Sequence, residues 1–188
     1  FTFHNLDRPY IILKWAQSKD DFMDKERSSE DNGIFWITQP ETKKLVHQWR
    51  SDEDAILVGA NTVLNDDPEL TVRMIKGDSP TRFIIDPAKK VQLGQFKIGH
   101  QPPETIVLSQ SKIEDILQEI KKKNLMSVII EGGQYTINKF IESGLWDEAR
   151  ILTGNIDLQA GLKAQHIQGK IVQSFEFGQD SIQIIRNA

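Results

Sequence analysis

The 188-residue chain contains no cysteine. That excludes disulfides and any zinc site built on thiolates, and it suits the cytoplasm as the expected location. No apolar run approaches the roughly 20 residues needed to span a bilayer. There is no surplus of positive charge either: 23 Lys and Arg face 27 Asp and Glu, a net charge of -4. This argues against a nucleic-acid binder but leaves open a small anionic ligand, which needs only a local cluster of donors. The histidines His4, His47, His100 and His166 form no HxH, HxxxH or HxE pattern. Each reads as a surface or packing residue, and no metal site is expected. Neither the dinucleotide fingerprint nor a Walker motif is present. The chain opens on Phe1 rather than Met. Residues 1–7 are therefore taken as the remnant of a linker from an upstream module, and 8–188 as one domain, which the length favours.

What the sequence does contain is short β-branched runs of the kind that form buried parallel strands. These are Tyr10–Lys14, Ala55–Gly59, Arg82–Asp86, Thr105–Leu108 and Ser127–Glu131. Helical patterns lie between them. Thr38-Gln39-Pro40-Glu41 reads as a capping box, followed by Leu45, Val46 and Trp49 on one face. Ser111-Lys112-Ile113-Glu114 repeats the device before Ile113, Ile116, Leu117 and Ile120, and Lys121 to Lys123 suit the negative end of that helix. Ile171–Phe177 and Ser181–Ile185 alternate around Gly178-Gln179-Asp180, which predicts an antiparallel hairpin. The segment Gly94–Pro103 reads as a mobile loop. The expected fold is α/β, with a mostly parallel sheet flanked by helices and an antiparallel C-terminal hairpin.

In open α/β sheets ligands bind beyond the carboxyl ends of the strands. Polar groups gather there: Lys14 after the first run, Asn61 to Asp67 in a loop after the second, Asp86 after the third, and Glu131-Gly132-Gly133 before a helix starting near Thr136. The two glycines admit a phosphate at a helix N-terminus, or they serve a tight turn that needs φ > 0. Asp66-Asp67-Pro68 reads as a turn, since no third hard ligand stands at a recognisable spacing for magnesium. Trp15, Trp49 and Trp146 read as core. Trp36, just before a helix, is the tryptophan placed to meet a ligand.

Assembled, "RPYIILKWAQS", "WITQPETKKLVHQWR", "DAILVGANTVLNDDPELTVR", "FIIDP" and "IIEGGQYTINKFIESGLWDEA" resemble the reductase domain of the bifunctional riboflavin-biosynthesis deaminase/reductase, in family order from Arg8 to about Ala149. The resemblance implies a dihydrofolate-reductase-like fold, NADPH as cofactor, and reduction of the ribosyl group of 5-amino-6-(5-phosphoribosylamino)uracil to ribityl. It implies that Ala16, Trp36, Thr62 and Asp66 lie along the cofactor. Gly132 and the segment from Gly133 to Lys139, including Gln134, Tyr135 and Thr136, would cradle its phosphates. Arg50, Leu70 and Arg73 would meet the substrate, the arginines at its phosphate, with Glu131 at its ribose or base. Lys14 would act at the reacting sugar carbon, with Asp66 and Glu131 completing the catalytic set. A homodimer is also implied.

The chain departs from the family at three places. Ser18-Lys19-Asp20-Asp21 replaces Ser-Leu-Asp-Gly, Ile34 aligns with a substrate-binding serine, and Pro87 aligns with a serine at the cofactor. Lys89 and Lys90 are the nearest residues able to replace that last donor. The family's zinc deaminase needs cysteine ligands, so that activity is not expected here. Two other functions stay open: reduction of another pterin or pyrimidine, and nucleotide binding without turnover.

Overall fold

The five apolar runs become β1 (Tyr10–Gln17), β3 (Ala55–Gly59), β4 (Thr81–Ile85), β5 (Thr105–Leu108) and β6 (Ser127–Ile130) of a computed structural model that describes residues 2–27 and 33–187. With β7 (Glu148–Thr153) they form a parallel array, and β10 (Asp180–Arg186) and β9 (Lys170–Phe177) close it as an antiparallel hairpin. The eight strands run β5-β4-β3-β6-β1-β7-β10-β9. Consecutive side chains of β1 enter opposite cores, because both faces of the sheet are covered. Ile11 and Leu13 pack with α4 (Ile113–Lys122) and α5 (Gln134–Ser143), while Ile12 packs with Val46 and Trp49 of α2 (Pro40–Asp52). A separate two-stranded sheet pairs β2 (Phe22–Lys25) with β8 (Gly161–Lys163).

Several local expectations change. Lys14 lies inside β1, which continues to Gln17. The polar stretch after β3 is a short helix, α3 (Ala60–Asp66), rather than a loop, and Asp67 ends it in the left-handed region at φ 42°. Helix α5 begins at Gln134, two residues before the expected start. Gly94–Pro103 contains two 3₁₀ turns, Leu93–Gln95 and Lys97–Gly99, anchored by the fully buried Ile98. The first four residues described form a helical turn, α1 (Thr2–Asn5).

Neither capping box forms. Gln39 and Lys112 are the N-caps of α2 and α4, and neither side chain makes a capping bond. At α2 a distant residue supplies the cap. The Asp180 carboxylate accepts the Gln39 N–H at 2.7 Å and the Thr42 hydroxyl at 2.6 Å. Asp180 is fully buried there, and the positive end of the helix dipole favours its charge.

The Asp21 departure leaves the backbone intact. Asp21 adopts φ 64°, the left-handed conformation for which glycine is the usual residue and which aspartate is among the few others to tolerate. Its carbonyl accepts Ala164 N–H, and its carboxylate accepts Gln17 Nε2, both at 2.8 Å.

Replacing the Asp180 cap tests how far the hairpin holds α2. Asp180→Ala should lower stability by roughly 1–3 kcal/mol, since a cap and a buried hydroxyl both lose their acceptor. Asp180→Asn, which keeps one acceptor, should lose less. Urea midpoints measure both, and a wild-type midpoint for the alanine variant would remove the cap from the account of stability.

Candidate active site

Leu13 and Ile130 are register partners in β1 and β6, so the next residues, Lys14 and Glu131, emerge side by side. Helix α2 delivers Arg50 onto the same carboxylate. Arg50 donates from Nε to Oε1 at 2.9 Å and from Nη2 to Oε2 at 2.7 Å, while Lys14 Nζ lies 3.4 Å from Oε2. The Glu131 side chain is only 6% exposed. Burial alone would raise its pKa, but Arg50 and then Lys14 outweigh burial and hold it at about 2. Burial lowers the Lys14 pKa against the opposing pull of Glu131. The result is a desolvated ammonium beside a permanently ionised carboxylate.

These groups line a pocket of about 260 Å³. Ala16, Trp36, Thr62, Asp66, Leu70 and Arg73 line it too. Leu70 is buried at φ 54°, a strained conformation for a branched side chain. The buried Arg82 fastens this turn by donating to the Glu69 carbonyl at 2.9 Å. Asp66 faces Arg27 Nη2 at 3.5 Å, yet its buried Oδ1 has no hydrogen-bond partner. Burial raises the Asp66 pKa, with Arg27 opposing.

A second cavity, a groove of about 500 Å³, runs between the N-terminal turns of α4 and α5 and shares Thr62, Gly133, Gln134 and Leu162 with the first. Neither Gly132 nor Gly133 has positive φ, so turn strain is not why they are glycines. A Cβ on Gly132 would come within 2.7 Å of the Thr136 side chain, and one on Gly59 would do the same. Glycine here permits close packing of Thr136 between two strand ends. Thr62 Oγ1 accepts the Gly133 N–H at 3.1 Å. The amides of Gln134 and Tyr135 open the helix without an intrahelical acceptor, whereas Thr136 N–H already donates to the Gly133 carbonyl at 3.0 Å. An unsatisfied Asp66 oxygen, a glycine-lined floor and free amides at a helix start fit a dinucleotide.

The groove also receives Pro87, Lys90, Tyr135 and Thr136. Lys89, at φ 54°, lines neither cavity. Asp86 closes its own loop by accepting the Val91 N–H at 2.7 Å. Trp36 is 50% exposed in the pocket, whereas Trp15, Trp49 and Trp146 are core. Among the described residues no His, Asp and Glu cluster could hold a metal.

Lys43 and His47, which α2 brings to the pocket, carried no functional reading in the sequence. With Arg50 they stand at i, i+4 and i+7 of α2, a spacing that puts all three on one helical face and was open to view. His47 is 4% exposed, and its Nδ1 accepts the Arg73 N–H at 3.2 Å.

A helix-flanked, mostly parallel sheet with a terminal hairpin and a ligand cleft across its strand ends defines a dihydrofolate-reductase-like domain. Dihydrofolate reductase from Enterococcus faecalis, solved with NADP(H), shares this fold at a TM-score of 0.63 and 14% identity, over 95% of this chain and 97% of its own. The chain belongs to the RibD C-terminal domain family, whose pattern matches residues 9–158. Riboflavin biosynthesis protein RibD of Aquifex aeolicus is 32% identical over 78% of this chain and 46% of its own length. The deaminase/5-amino-6-(5-phosphoribosylamino)uracil reductase of Thermotoga maritima superposes at a TM-score of 0.84 with 26% identity, over all of this chain and 59% of its own. The chain thus spans about half the length of these two relatives.

The environment of His47 gives a pH signature. Burial first, then Arg50, Arg73 and Lys14, lower its pKa from 6.5 to about 4, with only Glu131 opposing. In the unfolded chain the imidazole protonates below pH 6.5, while in the folded chain it stays neutral until about 4. Stability should therefore fall as pH drops through this window, because the unfolded state binds the extra proton. His47→Asn should flatten the slope of unfolding free energy between pH 6.5 and 4.5. Parallel wild-type and variant slopes would contradict this assignment.

Proposed function

We propose that this chain is the NADPH-dependent reductase that converts the ribosyl group of 5-amino-6-(5-phosphoribosylamino)uracil to ribityl in riboflavin biosynthesis. The observation that carries this reading is the buried Lys14–Glu131–Arg50 cluster in a pocket that opens into a dinucleotide-sized groove. Membership of the RibD C-terminal domain family and the activity named for the Thermotoga maritima protein support it. Deamination is not assigned to this chain, which has no cysteine to ligate zinc. A cytoplasmic homodimer belongs to the same reading. The exposed edge strand β9, with Ile171, Val172 and Phe175 at its surface, is the face on which two copies would meet.

Bound in the groove, NADPH supplies the hydride; the protein supplies orientation and charge. Gly132 to Thr136 would hold its phosphates, Lys90 its 2′-phosphate, and Ala16, Trp36, Thr62 and Asp66 its nicotinamide half. Lys14 Nζ delivers a proton to the ribose ring oxygen, the C1′–O bond breaks, and C1′ is left as an iminium carbon. One proton and one hydride together convert the ribosyl group to ribityl. Desolvation makes the ammonium a stronger acid, while Glu131 keeps it in place and meets the substrate with Arg50, Leu70 and Arg73. Asp66 fixes the geometry of the turn beneath the two ligands.

The purified chain should oxidise NADPH in the presence of the deaminated uracil substrate. Lys14→Met should lower kcat by about 10²–10⁴-fold and leave the NADPH Kd unchanged. Cofactor binding without turnover would make the protein a nucleotide-binding domain. Turnover confined to another pterin or pyrimidine, including the undeaminated precursor, would move the substrate. Unimpaired Lys14→Met turnover would remove the lysine from catalysis.

Cofactor preference rests on Lys90. Lys90→Ala should narrow the ratio of NADPH to NADH affinity, more at low salt than at high, because exposed charges are screened over about 8–10 Å at physiological ionic strength. Lys89→Ala should leave the ratio as it is. Equal effects of the two substitutions would detach the 2′-phosphate from this side of the groove.

A further inference from the structure

Arg82 stands where a buried strand usually carries an apolar residue. It is the second residue of β4 and is 1% exposed. The two-residue period of the strand puts it on the same face as Ile84, whose apolar cluster includes Leu70 and Ile98. Arg8, Arg50 and Arg150 each bond a carboxylate. Among the described residues Arg82 bonds none. Its Nη1 donates to the Glu69 carbonyl at 2.9 Å, and its Nη2 to the carbonyls of Gln101 and Pro103, both at 2.5 Å. Burial lowers its pKa, and Glu69 opposes that through charge alone. Burying a guanidinium is costly, and every bond it makes here goes to backbone.

The segments it joins lie on two sides of β4. Residues 67–73 follow α3 and carry Leu70 and Arg73 to the pocket. They are strained: Asp67 at φ 42° and Leu70 at φ 54° are both left-handed without being glycine. Such conformations persist only where the surroundings over-determine them. Residues 94–103 are themselves fixed, by the fully buried Ile98 and by Thr105 Oγ1, which donates to the Ile98 carbonyl at 2.8 Å. A second tie runs from the Lys97 N–H to the Asp67 carboxylate at 2.8 Å. Beside Arg82 a cavity of about 190 Å³ lies between Glu69, Thr71, Lys97, His100 and Gln101. Polar groups line that side of Glu69, so hydrogen bonds rather than apolar packing support it.

We propose that Arg82 is a positioning residue for the substrate: from the sheet it clamps the strained backbone at Glu69 and Leu70 to residues 101–103, and so sets where Leu70 and Arg73 meet the ligand. The identity of that ligand rests on the reductase reading; the clamp does not. Arg82 lines neither the pocket nor the groove, so it acts through the turn alone. Arginine suits the task because Nη1 and Nη2 are held apart in one plane and serve two segments at once. The single nitrogen of a lysine cannot occupy both positions.

Steady-state kinetics of Arg82→Lys, well below its thermal midpoint, test the clamp. KM for the phosphorylated pyrimidine should rise about tenfold, with kcat and NADPH Kd within about twofold of wild type, the pattern of lost uniform binding. Arg82→Gln, shorter and uncharged, should raise KM further. A purely structural arginine would lower the midpoint and leave KM as it is, which would overturn the proposal. Hydrogen exchange in the unliganded wild type needs no variant. The amides of Val72 and Arg73 bond Ser79 and His47, and those of Gly99 and His100 close the second 3₁₀ turn. Both pairs should exchange with the same urea dependence, as one opening unit. Arg82→Lys should speed both while β3 and β6 keep wild-type protection. Independent opening of the two pairs in the wild type would overturn the clamp. Joint opening in a protein that does not reduce the pyrimidine would leave the clamp standing and overturn the substrate.

Discussion

Everything at the site is arranged around one buried carboxylate. Glu131 follows the central strand β6 with its side chain almost sealed from water, and an isolated charge there would be prohibitively desolvated. Arg50 and Lys14 make it tolerable, one through a two-pronged hydrogen bond and the other through charge. The dependence is mutual, since removing one partner from a buried pair typically costs about 3–5 kcal/mol by stranding the other. Helix α2 is thereby fixed to the strand ends near its last turn. Beyond that turn, Arg150 of β7 adds a second tie, 3.0 Å from Glu53 and 2.7 Å from Glu148. At the other end Asp180 holds the first turn. A helix pinned at three places presents Lys43 and His47 at a defined depth, which loop-borne residues would not achieve.

The pocket and the groove are kept distinct in chemistry but joined in space. The pocket is ionic, with each carboxylate facing a cation, whereas the groove is bounded by strand ends, glycines and a fresh helix start. Thr62 belongs to both and ties them by accepting the Gly133 amide. Close packing of Thr136 against Gly59 and Gly132 brings α5 near enough for its first turn to face the groove. A methyl group at either glycine would displace the helix and so alter the junction of the two cavities.

Much of this was legible in the sequence, for identifiable reasons. Strands buried on both faces show as continuous apolar runs, and β1, β3, β4 and β6 declared themselves that way, as did the edge strand β5 although it is only partly buried. The hairpin formed where the alternation placed it, although β9 is exposed along nearly its whole length. Strand β7 did not show, because Glu148 and Arg150 interrupt its apolar pattern while pairing with each other and with the distant Tyr10 and Glu53. The apparent capping boxes failed because α2 takes its cap from Asp180, a tertiary contact without any local signature. The resemblance located Lys14, Glu131, Arg50 and Arg73, and the structure brings all four to one pocket. It gave no hint of how they pair. Lys43 and His47 stood in plain spacing with Arg50, but their significance appears only when the charges facing them are known.

The cap on α2 has a consequence for how the chain reaches its native state. Gln39 and Asp180 are 141 residues apart, and closing so long a loop is among the slower events of folding. During synthesis the helix bearing Lys43, His47 and Arg50 exists long before its cap does. An emerging chain can assemble the strands that precede β10, yet its binding helix keeps a frayed first turn until the hairpin leaves the ribosome. Ligand-binding competence would then wait for β10, and a nascent chain would stay unable to bind its ligand until the hairpin has emerged.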